Sequence, residues 1–116
     1  MVTRAQLLIN KVEAELPIIV YPERGELAKL RENFKDDTIN LKTELEIHSM
    51  VNLGTEGGIG CEIRTKDLDP TTLEVVYLSS ITHFRIKRGQ PYYQELEKYR
   101  TKRIRKLQRQ DKNRFF

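Results

Sequence analysis

The sequence predicts an α+β domain in which a small, curved antiparallel sheet or barrel is flanked by N- and C-terminal α-helices. Three observations lead there. Apolar residues recur at helical spacing over the first sixteen positions, alternate with polar ones from Thr38 to Leu53 and from Ile59 to Thr65, and return to helical spacing after Pro91. The chain has 116 residues, 38% hydrophobic and 33% charged, which suits one core and a single domain over 1–116 rather than disorder or a fibre.

Within that domain the order is a helical segment over 1–37, a β body over 38–88, a basic helix over 91–110 and a frayed polar tail over 111–116. Thr3 and Gln6 have the spacing of a capping box, and Ala5, Leu8, Ile9, Val12 and Leu16 share one face of a helix over Arg4 to Leu16 that Pro17 ends. Ile18 to Tyr21 lies between Pro17 and Pro22, which fits a short extended piece confined by its prolines to a sheet edge, the alternative being a linker. Leu27, Leu30 and Phe34 predict a second short helix over Glu26 to Phe34.

From Thr38 to Leu53 the residues Ile39, Leu41, Thr43, Leu45, Ile47, Ser49, Val51 and Leu53 occupy alternate positions, the pattern of a half-buried strand. Unbroken, it would reach roughly 50 Å at about 3.3 Å per residue, too long for a domain this small, so it should bend or be interrupted. Gly54 to Gly58 supplies turn chemistry, and Ile59, Cys61, Ile63 and Thr65 then alternate in an antiparallel partner. Asp67 to Thr72 is the next turn, Leu73 to Leu78 a third strand, Ser79-Ser80 a break, and Phe84 with Ile86 a last short strand. Pro91 is placed to be the first residue of the final helix.

The stretch EVVYLSSITHFRI, a strand passing through paired serines into another short strand, resembles the closing part of small SH3-like barrels, including Sm-like and PRC-type modules. Those barrels serve mainly as platforms for RNA, DNA or protein, so the resemblance implies binding rather than catalysis.

Charge is divided unevenly. Residues 91–116 carry nine Lys or Arg against three acids, a net +6, while the other ninety residues net −2. An acidic partner for the last helix is the corresponding expectation. At about 100° per residue, Tyr92, Tyr93, Leu96, Tyr99, Ile104 and Leu107 fall within an arc of roughly 140°, and Lys98, Lys102, Arg105, Lys106 and Arg109 within a separate arc of roughly 100°. The basic ridge predicts phosphate contact with DNA or RNA, its plain alternative being a solvated helix face. The apolar stripe, chiefly Tyr92, Leu96, Tyr99 and Leu107, predicts core packing or association with a protein partner or a second copy. Base stacking on the tyrosines is the lesser expectation.

Other chemistries find little purchase. Cys61 is the only cysteine, which excludes an internal disulfide, and with only His48 and His83 beside it no zinc or other cofactor is expected. Ser79, Ser80, His83 and Cys61 show no nucleophile signature, so catalysis is not expected, and Gly54 to Gly60 precedes a strand rather than the helix a phosphate loop opens. No apolar run has the length of a membrane helix and the start does not resemble a signal peptide, which points to the cytoplasm without membrane insertion.

Overall fold

The computed structural model describes residues 3–66 and 77–114. Helix α1 (Arg4–Val12) starts where Thr3 accepts a hydrogen bond from the Gln6 backbone N–H at 3.1 Å. Only half of the capping box forms, because the Gln6 side chain turns to Asn10 and Asn52 instead of back to the cap. Leu8, Ile9 and Val12 are buried as the periodicity predicts, and the last turn tightens to a 3₁₀ helix over Glu13–Glu15 before Pro17.

Strand β1 (Ile18–Pro22) does not lie at an edge. The sheet order is β4-β3-β2-β1-β5, with β2 (Leu45–Asn52), β3 (Ile59–Thr65), β4 (Tyr77–Ser80) and β5 (Phe84–Ile86), and every neighbouring pair is antiparallel. The edge assignment fails because the prolines sit just before the strand and at its last position, leaving the intervening N–H groups free to bond on both sides. Where β1 outruns β5, the Gln90 side chain accepts from Ile19 N–H at 3.0 Å.

A 3₁₀ turn (Arg24–Glu26) leads into α2 (Leu27–Phe34), which ends with Lys35 in the left-handed region at φ 51°. The long alternation that follows yields a strand only from Leu45. Between Asp36 and Thr43, side chains of Asp36, Asn40 and Thr43 accept from the backbone N–H groups of Thr38, Lys42 and Asn40, which holds this stretch in local turns. Within β2 the register shifts between Ile47 and Ser49, so His48 is an extra residue and the facing side chains reverse. Ile47 and Met50 are therefore buried, while Ser49, Val51 and Leu53, expected inside, are exposed. Val51 and Leu53 lie over Gly60, where a Cβ would meet Leu53 Cδ1 at 3.0 Å and Val51 Cγ1 at 3.1 Å.

A single helical turn, α3 (Gly54–Gly57), joins β2 to β3, with Gly58 at φ +67° and its carbonyl accepting from Leu53 N–H. The expected turn over Asp67–Thr72, and the expected third strand up to residue 76, lie outside the described residues. Ser79 and Ser80 belong to β4, so the break falls one step later, in a 3₁₀ turn over Ile81–His83 that Ser80 caps through Thr82 N–H.

That turn decides the shape of the sheet. Laid flat, five strands would put β4 and β5 about 19 Å apart, four spacings of about 4.8 Å. Ser80 and Phe84, only four links apart, span at most about 14 Å. The sheet is accordingly curled into a half-barrel, and the fold is α+β. Inside the curl, Ile18, Val20, Leu45, Ile47, Ile63 and Phe84 are fully buried, joined by Val12 from α1 and Leu30 from α2. No described helix is long and apolar enough to cross a membrane.

Candidate polyanion interface

The final helix, α4 (Tyr93–Arg114), starts two residues later than Pro91 promises. Tyr92 adopts φ 61°, which breaks helical geometry between the proline and the first turn while its side chain packs on the core. Leu96 is the anchor, fully buried against the 3₁₀ turn and β5. Glu97 fixes the docking angle, because its Oε1 accepts from Ile86 N–H at 2.8 Å and its Oε2 pairs with Arg100 at 3.2 Å. The helix thereby covers the otherwise open edge of β5.

Past this anchor the two predicted faces separate. Tyr92, Tyr93 and Tyr99 pack partly on the core, while Ile104 and Leu107 are half-buried beyond it. The apolar stripe is thus largely consumed by the fold in its first half, and Leu96 is not available to a partner. Lys98, Lys102, Arg105, Lys106 and Arg109 are all exposed, and among the described residues none has a carboxylate partner. Three of their pairs, Lys98/Lys102, Lys102/Lys106 and Arg105/Arg109, stand at i,i+4, where like charges oppose the helix by roughly 0.2–0.5 kcal/mol each.

The body treats its cations differently. Arg64 pairs with Glu62 at 2.9 Å, Lys66 and Lys87 both pair with Glu44, and Arg85 pairs with Glu23 at 3.1 Å. Arg88, next to Lys87, has no carboxylate partner among the described residues.

Hydrogen bonds from Lys87 first and Lys66 second hold the Glu44 carboxyl down at about 2. Since that lies below its ordinary 4.5, the ionised cluster is complete above pH 4.5 and is lost as pH falls toward about 2. In a carboxyl NMR titration, Lys87→Ala should raise the Glu44 midpoint toward the ordinary range. A midpoint still near 2 in that variant would show that Lys87 is not the main cause.

The ridge also borders a cleft that the sequence did not reveal. Arg4, at the start of α1, faces Tyr99, Lys102, Arg103, Arg105, Lys106 and Arg109 across a cavity of about 490 Å³ whose described lining holds no acid. A second depression, lined by Arg4, Leu8, Glu95, Lys98, Tyr99 and Lys102, continues it along the helix. Arg4 is separated from these partners by almost the whole chain, so periodicity carries no sign of it.

A second polar cluster joins the turn before α2 to β4 and to the 3₁₀ turn over Ile81–His83. Glu26, 4% exposed, accepts from Tyr77 and from Ser79 Oγ at 3.1 Å, and lies 3.2 Å from His83 Nδ1. Burial first, and the Glu26 hydrogen bond second, push the Tyr77 hydroxyl above its ordinary pKa. Ser79 also meets His83 at Nδ1, at 2.8 Å. A hydrolytic relay places the nucleophile and the carboxylate on opposite ring nitrogens, whereas here both meet the same one. Cys61 is in the core, its thiol pushed up to about 12 by burial.

No family model, curated protein or solved structure matches this chain.

Proposed function

We propose that this chain is a cytoplasmic, non-enzymatic binding module, an SH3-like barrel whose C-terminal helix engages a polyanion, in the first instance nucleic acid. The observation that carries the reading is the segregation of charge. Lys98, Lys102, Arg105, Lys106 and Arg109 are exposed on one helix face without acidic partners among the described residues, while Arg64, Lys66, Arg85 and Lys87, on or next to the strands, are each paired with a carboxylate. Phosphates would relieve the repulsion along that face, and each contact would release counterions. The SH3-like assignment is supported by the β4-β3-β2-β1-β5 order and by the 3₁₀ turn between Ser80 and Phe84 that closes the curl. Backbone neutralisation of this kind needs no particular base sequence.

Fluorescence anisotropy with labelled DNA and RNA over a salt series tests it. Four phosphate contacts on a single strand give a log–log salt slope near −3, or about 50-fold weaker binding between 50 and 200 mM salt. A variant with Lys98, Lys102, Arg105 and Arg109 all replaced by alanine should bind weakly at low salt with a nearly flat slope. Absence of binding by the unmodified protein at low salt would defeat the proposal. Association through Ile104 and Leu107, half-buried outside the core cluster, would then take its place.

A further inference from the structure

We infer that the cleft between α1 and α4 accepts an unpaired nucleobase, which makes the ridge a site for single-stranded nucleic acid. This rests on the polyanion reading and narrows it. At about 490 Å³ the cleft falls within the roughly 300–1,000 Å³ of sites that enclose small organic groups. Its rim is cationic on both sides, Arg4 on one helix and Lys102, Lys106 and Arg109 on the other. Its wall is formed by the aliphatic stems of these residues together with Tyr99.

Tyr99 is held in place rather than loosely presented. It packs on the core, and its hydroxyl and Arg103 Nε converge on Gly58, where an added Cβ would stand 3.1 Å from each. Arg103 also donates to the Glu56 carbonyl, tying the helix to the α3 turn. An aromatic group recessed behind a cationic rim suits a strand that can turn one base inward while its phosphates follow the ridge. A duplex keeps its bases stacked inside and offers such a cleft only backbone, which cannot fill it.

The test compares three ligands of equal length on the full chain: a ten-nucleotide oligothymidylate, its abasic backbone and a duplex, with heparin as a baseless polyanion. The expected result is about tenfold tighter binding of oligothymidylate than of its abasic counterpart or the duplex. Tyrosine fluorescence should be quenched only by the base-bearing strand, a signal undiluted by tryptophan because the chain has none. Tyr99→Leu should bring oligothymidylate to the abasic level with its salt slope unchanged, and Arg4→Ala, at an exposed position, should weaken binding without touching the core.

Equal affinity for base-bearing and abasic strands, or a preference for duplex, would overturn the nucleobase site while leaving the polyanion reading intact. Failure to bind any of the four ligands, heparin included, would overturn both. Should Tyr99→Leu not fold, the comparison with the abasic strand on the unaltered protein decides the matter.

Discussion

Phe84→Ala is expected to lower the free energy of unfolding by about 3–5 kcal/mol, the range for truncating a fully buried phenylalanine. Phe84 is among the largest side chains wholly removed from solvent, and it opens β5 directly after the 3₁₀ turn. It pairs with Pro22 at the end of β1, so it sits where the curled sheet is drawn together. A cavity there removes contacts from the core and from the closure at once. Chemical denaturation monitored by circular dichroism measures the loss. A midpoint shift worth less than about 1 kcal/mol would show that the surroundings collapse into the space and that Phe84 is not the closing residue.

The second large effect belongs to Glu26. Its carboxylate accepts from Tyr77 and Ser79 and faces His83, which ties the turn before α2 to β4 and to the 3₁₀ turn over Ile81–His83. Glu26→Ala strands these donors around a small void, and a loss of about 2–3 kcal/mol is expected, since hydrogen bonds to a charged acceptor are the stronger ones. Glu26→Gln keeps the shape and one acceptor oxygen and should cost about half as much. Equal losses for the two variants would mean that packing, not hydrogen bonding, sets the role of the carboxylate. Both substitutions lie outside α4 but in or beside the elements on which it docks, so polyanion binding measured on the same variants shows how far the ridge depends on that scaffold.

How much of this was visible in the chain varies by element. The α1 face, the β2–β3 hairpin and the two faces of α4 were legible because each depends on a local period that burial then enforces. His48 shows the limit. An added residue in one strand reverses every following side chain, and nothing in the alternation of Ser49, Val51 and Leu53 signals that a bulge has intervened. The 38–44 stretch misled for a related reason, since side-chain-to-backbone hydrogen bonds satisfied the main chain before a partner strand could.

The candidate site divides in the same way. Lys98, Lys102, Arg105, Lys106 and Arg109 were found from sequence because they lie within eleven steps of one helix. Arg4 and the cleft it closes with Tyr99 were not, and neither was the meeting of Glu26 with Ser79 and His83.

By itself the sequence determined the α+β class, the basic face of the last helix and the pairing of β2 with β3, all of them consequences of periodicity and turn chemistry between near neighbours. Only the tertiary structure decided that β1 lies inside the sheet, that the predicted curvature is drawn together at the 3₁₀ turn between β4 and β5, and that Arg4 faces α4. Those outcomes depend on which remote segments share a core, and a local pattern carries no information about distance in space between residues far apart in the chain.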